Sequence, residues 1–159
     1  MSAAGPWAPR LLPHGDVTPS HSTGTGAAHA FEEHTGEVRV RIEAPALPEL
    51  FDEAGRTLAE LMGSASPGPD DPTELVTVEA NDLDALLVAW LDELIFRAET
   101  SGRIYNDVRV REIGPRGLTA EIRGGRPFET RTAVKAATLH GLRISTGPSG
   151  YMARVVLDV

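Results

Sequence analysis

Residues 81–99 read NDLDALLVAWLDELIFRAE, and the apolar positions recur every three or four residues. This spacing is typical of an amphipathic α-helix with one buried face. The predicted buried stripe consists of Leu83, Leu86, Leu87, Trp90, Leu91, Leu94 and Ile95. Asn81 is predicted to cap the start of the helix, and Gly102 stands at a C-cap position. The stretch therefore predicts one long helix packed on an aliphatic core.

Upstream of this helix, residues 37–43 (EVRVRIE) alternate apolar and charged side chains, the period of a half-buried strand. Residues 47–62 again carry apolar side chains at helical spacing, and Gly63 is predicted to end that helix. Residues 64–72 (SASPGPDDP) are predicted to form a loop, and residues 73–80 a second strand.

Downstream of Gly102 no helical period is found, and strands are predicted near residues 104–113, 117–123, 132–145 and 151–158. The order ββαβαββββ predicts an α+β fold. We expect a two-layer sandwich, with two amphipathic helices packed on one face of a mainly antiparallel mixed sheet. Residues 1–28 are rich in Pro, Gly, Ser and Thr and are predicted to be a disordered extension, which leaves residues 29–159 as the folded domain.

The composition limits the classes of partner. The chain has 159 residues, with 15 basic and 23 acidic side chains and a formal net charge of -8, so its average field repels polyanions and no stable direct binding of nucleic acid is expected. The absence of cysteine excludes disulfides and thiolate metal sites. With no signal-peptide pattern and no long apolar run, we expect a cytoplasmic protein that does not enter a membrane.

Two carboxylate-bearing segments are candidates for binding a cation. Residues 34–37 (HTGE) place a histidine, a hydroxyl and a carboxylate on a predicted turn; they could supply metal ligands or simply close a hairpin. The chain ends on Asp158 and Val159, so two carboxylates stand on adjacent residues. Such a pair suits a hard cation such as Ca²⁺ or Mg²⁺, and the alternative is a solvated tail.

Residues 132–140 (TAVKAATLH) carry two further candidates on a predicted strand. Lys135, the only lysine, could bind a salt-bridge partner or a phosphate, or could lie along the surface of an edge strand. His140 falls on the same predicted face as Val134 and is interpreted as a hydrogen-bonded structural residue. The sequence contains no phosphate-binding loop, dinucleotide fingerprint, zinc-protease motif or nucleophile elbow. No catalytic residue is therefore assigned, and we do not expect an enzyme.

Taken together, four motifs in this order resemble the archease family. Residues 79–96 (EANDLDALLVAWLDELIF) are similar to the helix signature of that family, and residues 31–38 (FEEHTGEV) to its opening E-H-T-A-D-V/I motif. Residues 132–140 match its T-x-V-K-A-x-T-x-H strand, and the chain ends on the expected Asp-Val. The four motifs span residues 30–159.

The resemblance implies an accessory factor for an RtcB-type RNA ligase, promoting guanylylation and multiple turnover in tRNA splicing or RNA repair. It also implies a bound divalent cation: Ca²⁺, with Mg²⁺ or Mn²⁺ as alternatives. The implied ligands are Glu37, Asp158 and Val159. The residues assigned a supporting or partner-facing role are His34, Lys135 and His140.

The sequence departs from the family pattern in the opening motif, where Glu37 replaces Asp and Gly36 replaces Ala. The extra methylene of Glu37 moves the carboxylate out by about 1.5 Å, so either the turn shifts or the metal affinity changes. Two other functions stay open. One is a chaperone-like protein-binding module with an apolar patch around residues 94–96. The other is a metal-dependent hydrolase using His34, Glu37 and Asp158.

Overall fold

The computed structural model describes residues 19–21, 26–34 and 36–159. Within these residues the chain forms strands and helices in the following order: β1 (Pro19–His21), β2 (Ala28–His34), β3 (Glu37–Ala44), α1 (Leu47–Met62), β4 (Gly63–Ala65), β5 (Thr73–Glu79), α2 (Leu83–Ser101), β6 (Ile104–Gly114), β7 (Gly117–Gly125), β8 (Pro127–Thr130), β9 (Ala136–Gly147) and β10 (Gly150–Asp158). No helix in the described part of the chain is long and apolar enough to cross a membrane.

The strands form three antiparallel sheets. The five-stranded sheet has the order β1-β2-β3-β10-β9, the three-stranded sheet the order β5-β7-β6, and β4 pairs with β8. The predicted α+β class, with two helices packed on antiparallel sheet, is confirmed. The prediction of a single mixed sheet is wrong in its detail, because the strands divide among three antiparallel sheets. Each of the two larger sheets has an edge strand whose backbone amides donate to a helix instead of to another strand.

Aspartates on the helices make these bonds. On α2, Asp84 Oδ1 accepts from the Ile144 amide at 3.0 Å and Asp92 Oδ1 from the Ala137 amide at 2.8 Å, both on the edge strand β9. On α1, Asp52 Oδ1 accepts from the Val110 amide of β6 at 2.7 Å. Capping an exposed edge in this way stops the sheet from growing.

One hydrophobic core joins both helices and both large sheets. The side chains of Phe51 on α1 and Trp90 on α2 are fully buried, and the indole N–H of Trp90 donates to the carbonyl of Phe51 at 2.9 Å. The predicted stripe of α2 is buried from Leu86 through Ile95, as its periodicity required. Both predicted helices are confirmed, and Gly102 closes α2 in the left-handed conformation with φ 71°.

Four boundary predictions need correction. Asp82, not Asn81, caps α2, because its Oδ1 accepts from the Ala85 amide at 2.8 Å. The predicted loop 64–72 begins with β4, which pairs with β8, a strand that the sequence analysis missed. The predicted strand 132–145 starts only at Ala136. Within the predicted extension 1–28, residues 19–21 pair with β2, which itself begins at Ala28, and Ala27 is buried in the core. Residues 1–18 and 22–25 lie outside the described residues.

Candidate cation site and the outer sheet face

The hairpin between β2 and β3 places Glu37 at the first position of β3, with His34 as its register partner. Gly36 in this turn has φ 75°, in the left-handed region where a side chain is disfavoured. This conformation accounts for glycine where the family motif has alanine. The side chain of His34 and all of Thr35 lie outside the described residues, so their predicted roles stay predictions.

Asp158, at the end of β10, is the direct register partner of Glu37 on β3 and of Ala136 on β9. Directly opposed residues of antiparallel strands point to the same face, with Cβ atoms about 5 Å apart. Leu157 and Val38, the next residues inward, are buried in the core. The carboxylates of Glu37 and Asp158 therefore share the face turned away from the helices, which we call the outer face of the five-stranded sheet.

The last residues of the chain are held in place by main-chain hydrogen bonds. The amide of Val159 donates to the carbonyl of Gly36 at 3.1 Å, and the amide of Lys135 donates to the carbonyl of Asp158 at 2.8 Å. The end of β10 is thus anchored on both sides, and the alternative of a solvated tail does not hold for this backbone. The structure brings four of the sequence-predicted residues together at one end of the sheet: Glu37, Lys135, Asp158 and Val159.

Lys135 precedes β9 instead of lying within it, and its side chain is exposed. The predicted alternation over residues 132–140 is wrong here: Val134 and Ala137 are both buried, three residues apart. The cause is the irregular backbone before β9, where the amide of Lys135 bonds to the end of β10.

His140 lies apart from the carboxylate pair. It sits in a bulge of β9, where the register with β10 jumps between Val156↔Thr138 and Arg154↔Arg143. Gly141, with φ 69°, makes this bulge, and the imidazole is exposed. The structure therefore separates His140 from the other predicted site residues.

The donors of the candidate site suit a hard cation. Glu37 and Asp158 offer only carboxylate oxygens, the ligands that Ca²⁺ and Mg²⁺ prefer, and neither forms a salt bridge within the described residues. No group of three or more His, Asp or Glu side chains in the described part of the chain converges on one point. Because Ca²⁺ takes six to eight oxygens, the carboxylate of Val159, main-chain carbonyls or water would have to complete the shell.

Sequence reasoning missed the arginines of the same outer face. The register places Arg41 opposite Arg154 and Arg154 opposite Arg143, across three neighbouring strands, and Arg39 lies two residues along β3 from Arg41. The alternation of residues 37–43 was the available signal, since it puts Arg39 and Arg41 on one face. Recognising the cluster also required the pairing of β3, β10 and β9, which no local pattern supplies.

The apolar patch that would mark a chaperone-like module is not formed as predicted by residues 94–96. Leu94 and Ile95 are 2% and 4% exposed because they face the core, and only Phe96 is exposed. A different apolar cavity of about 700 Å³ lies beside Lys135, between the C-terminal half of α2 and the β4–β8 ribbon.

The fold defines a small α+β protein, and Glu37 and Asp158 form a carboxylate pair at one end of its five-stranded sheet. The model of the Archease protein family (MTH1598/TM1083) matches residues 29–159. The protein archease of Thermococcus gammatolerans is 33% identical over 135 residues, which cover 80% of this chain and 95% of that protein. That of Methanopyrus kandleri is 31% identical over 137 residues, covering 80% and 96%. This chain belongs to the archease family.

Two solved structures share the fold. The solution structure of Methanobacterium thermoautotrophicum protein 1598 has a TM-score of 0.59 and 27% identity, covering 82% of this chain and 98% of that one. The crystal structure of the Thermotoga maritima archease has a TM-score of 0.62 and 22% identity, covering 80% and 94%. The family resemblance inferred from the four motifs is thereby confirmed.

Proposed function

We propose that this protein is a cation-binding accessory factor that activates an RtcB-type RNA ligase, promoting its guanylylation and multiple turnover. Membership in the archease family supports the partner class. The observation that carries the site is the direct pairing of Glu37 with Asp158 on the outer face of the five-stranded sheet.

In this role the chain contributes a positioned pair of carboxylates and not a reacting group. Glu37 and Asp158 would hold the cation, with Val159 completing the ligand set, and the bound cation would supply positive charge at an otherwise anionic edge. His34 and Lys135 lie along the backbone at the same end of the sheet and would face the partner. Activation of a cytoplasmic ligase would place this protein in the cytoplasm as well.

The test is multiple-turnover joining of 3′-phosphate RNA ends by the cognate ligase, with and without this protein. The double variant Glu37→Gln/Asp158→Asn removes two charges while keeping the side-chain shapes. Asp107→Asn/Glu112→Gln removes two charges from exposed positions of β6 and serves as the matched control. We expect stimulation by the wild type and by the control, and its loss in the first variant.

Two results would overturn the proposal. Wild-type protein that leaves ligase turnover unchanged would exclude the accessory role. Stimulation that survives in Glu37→Gln/Asp158→Asn would keep the partner but remove the carboxylate pair from its mechanism. Circular dichroism of all variants establishes that each is folded.

A chaperone-like function is the second candidate, favoured by the apolar cavity beside Lys135. Its lining includes Met62, Ile95 and Val134, and the Thermotoga maritima protein is described as a possible chaperone. Suppression of the thermal aggregation of an unrelated protein, in the absence of ligase and cation, would support this second function. A lack of suppression, together with stimulation of the ligase, would exclude it.

A further inference from the structure

The outer face of the five-stranded sheet carries a row of arginines that the cation site does not use. Arg41, Arg154 and Arg143 lie directly opposite one another on β3, β10 and β9. Adjacent strands are about 4.8 Å apart, so the row spans roughly 10 Å. Arg39 adds a fourth guanidinium about 7 Å along β3.

This arrangement costs stability instead of adding to it. Like charges directly opposite each other across antiparallel strands repel. Arg39, Arg143 and Arg154 are exposed and form no salt bridge within the described residues. In a chain of net charge -8, carboxylates are abundant, yet Arg154 lies directly between two arginines, Arg41 on β3 and Arg143 on β9. The repulsion would be relieved by an anion bound from outside.

A groove of about 400 Å³ lies along Arg39, Arg41 and Arg154 and gives such an anion a place. Its charged and polar side chains are Arg39, Arg41, Arg154, His140 and Glu32. Glu32 is the one carboxylate residue of the lining and is the register partner of Arg39, so the three arginines of the lining outnumber its single carboxylate. His140 contributes an exposed imidazole from the β9 bulge.

The chemistry of the groove selects phosphate. A guanidinium is planar and binds two oxygens of one phosphate at once, and these charge-assisted bonds are among the stronger hydrogen bonds. The lining contains no phenylalanine, tyrosine or tryptophan on which a base could stack and no large apolar anchor of the kind that dominates protein interfaces. Arginine contacts without stacking are typical of binding to a phosphate backbone, which positions a strand without reading its sequence.

We infer that this groove binds two or three adjacent phosphate groups, as found in a short single-stranded nucleic acid or in a nucleoside triphosphate. The inference does not depend on the proposed ligase, since it concerns binding by this chain alone. The net charge of the chain predicts repulsion of polyanions on average, but the field within the arginine-lined groove attracts a phosphate.

The test is fluorescence anisotropy of a labelled ten-nucleotide oligouridylate titrated with the full-length protein at low salt, in parallel with competition by tripolyphosphate and by hexaglutamate. Binding should weaken with added salt, with a logarithmic slope of about -2 for some three neutralised phosphates. Oligonucleotide bound far better than tripolyphosphate would identify a strand as the ligand, and equal competition would identify a compact phosphate chain.

The deciding variant is Arg39→Gln/Arg154→Gln. The matched control is Arg109→Gln/Arg116→Gln, which removes the same charge from an exposed position of β6 and from the exposed turn between β6 and β7. We expect the first to weaken binding about tenfold or more, because two charge-assisted contacts are lost, and the control to bind within about twofold of wild type. Equal weakening by both pairs, no binding by wild type at low salt, or hexaglutamate competing as well as phosphate would each overturn the inference.

Discussion

The outer faces of the two larger sheets carry arginine in contrasting surroundings. On the three-stranded sheet, Arg109 lies opposite Glu121 and Arg123 opposite Asp107, and Arg111 forms an ion pair with Glu121 at 2.7 Å. On the five-stranded sheet, arginine lies opposite arginine, and the carboxylates of Glu37 and Asp158 lie opposite each other at the strand ends. One face is neutralised internally, whereas the other segregates its charges by sign. The second face is anionic at one end and cationic along the middle.

Both sheets share one hydrophobic core and should unfold as one cooperative unit. Substitution of Trp90 tests this and should have the largest effect on stability. Its fully buried indole lies in the core that joins both sheets and donates to the carbonyl of Phe51. Trp90→Ala should lower the free energy of unfolding by about 3–5 kcal/mol. Urea unfolding followed by circular dichroism should show a single transition in both proteins; two separated transitions would mean that the sheets unfold independently.

The next largest effect concerns the edge of the five-stranded sheet. Asp92→Ala removes the acceptor of the Ala137 amide, next to Ala136, which pairs with Asp158. We expect a loss of about 1–2 kcal/mol in the free energy of unfolding. Amide exchange of Ala137 should accelerate while the amides of β7 keep their protection. Uniform acceleration across both sheets would show that the contact stabilises the whole domain and does not specifically hold β9.

These contacts show which features of the fold could be predicted from the sequence and which could not. Periodicity identified both helices and the central strands, because burial of one face produces a regular spacing of apolar residues along the sequence. It could not reveal that Asp92 and Asp84 bond to β9, because the partners lie 45 and 60 residues away. The strand β8 was missed because its four residues are mostly exposed and show no alternation.

The candidate site was predicted in the same partial way. Glu37 and Asp158 emerged only as ends of two separate segments, and the family resemblance joined them before the register did. The arginine row was hidden, since Arg143 and Arg154 stand on strands whose alignment depends on a bulge at residues 139–142. Charged residues that become neighbours through the pairing of distant strands cannot be recognised from their spacing along the sequence.

A third prediction uses the buried side of the five-stranded sheet. His29 on β2 lies between Glu53, with Nδ1–Oε2 at 2.6 Å, and Glu60, with Nε2–Oε2 at 3.2 Å. Burial by itself would lower the pKa of His29, but hydrogen bonds and charges from Glu53 and Glu60 outweigh it, so the pKa is raised above 6.5. None of the strands β5, β6 and β7 contains histidine.

The stabilisation from His29 should therefore be fully present below pH 6.5, its pKa in the unfolded chain, and be lost as pH rises through the folded pKa. Thermal unfolding of wild type between pH 5 and 9 should show this loss, and His29→Gln should flatten the profile over that window. Wild-type stability that rises with pH relative to His29→Gln would show that the sign is wrong.

The smallest effect sharpens the contrast between the two faces directly. Arg154→Gln removes repulsion from both Arg41 and Arg143 and should raise the free energy of unfolding by about 0.2–0.5 kcal/mol at low salt. The gain should shrink in 1 M salt, where charges are screened. Arg109→Gln, which loses the opposed Glu121, should not stabilise the protein. Stabilisation of equal size by both variants would mean that overall charge, not local pairing, controls the effect.

Calcium titration by isothermal calorimetry shows whether the paired carboxylates of the outer face hold a cation. The proteins to compare are the wild type, Glu37→Gln/Asp158→Asn and the charge-matched Asp107→Asn/Glu112→Gln. We expect a saturable calcium site in the wild type, its loss in the first variant and its retention in the second. Binding of equal strength in all three proteins, or no binding by the wild type, would contradict it.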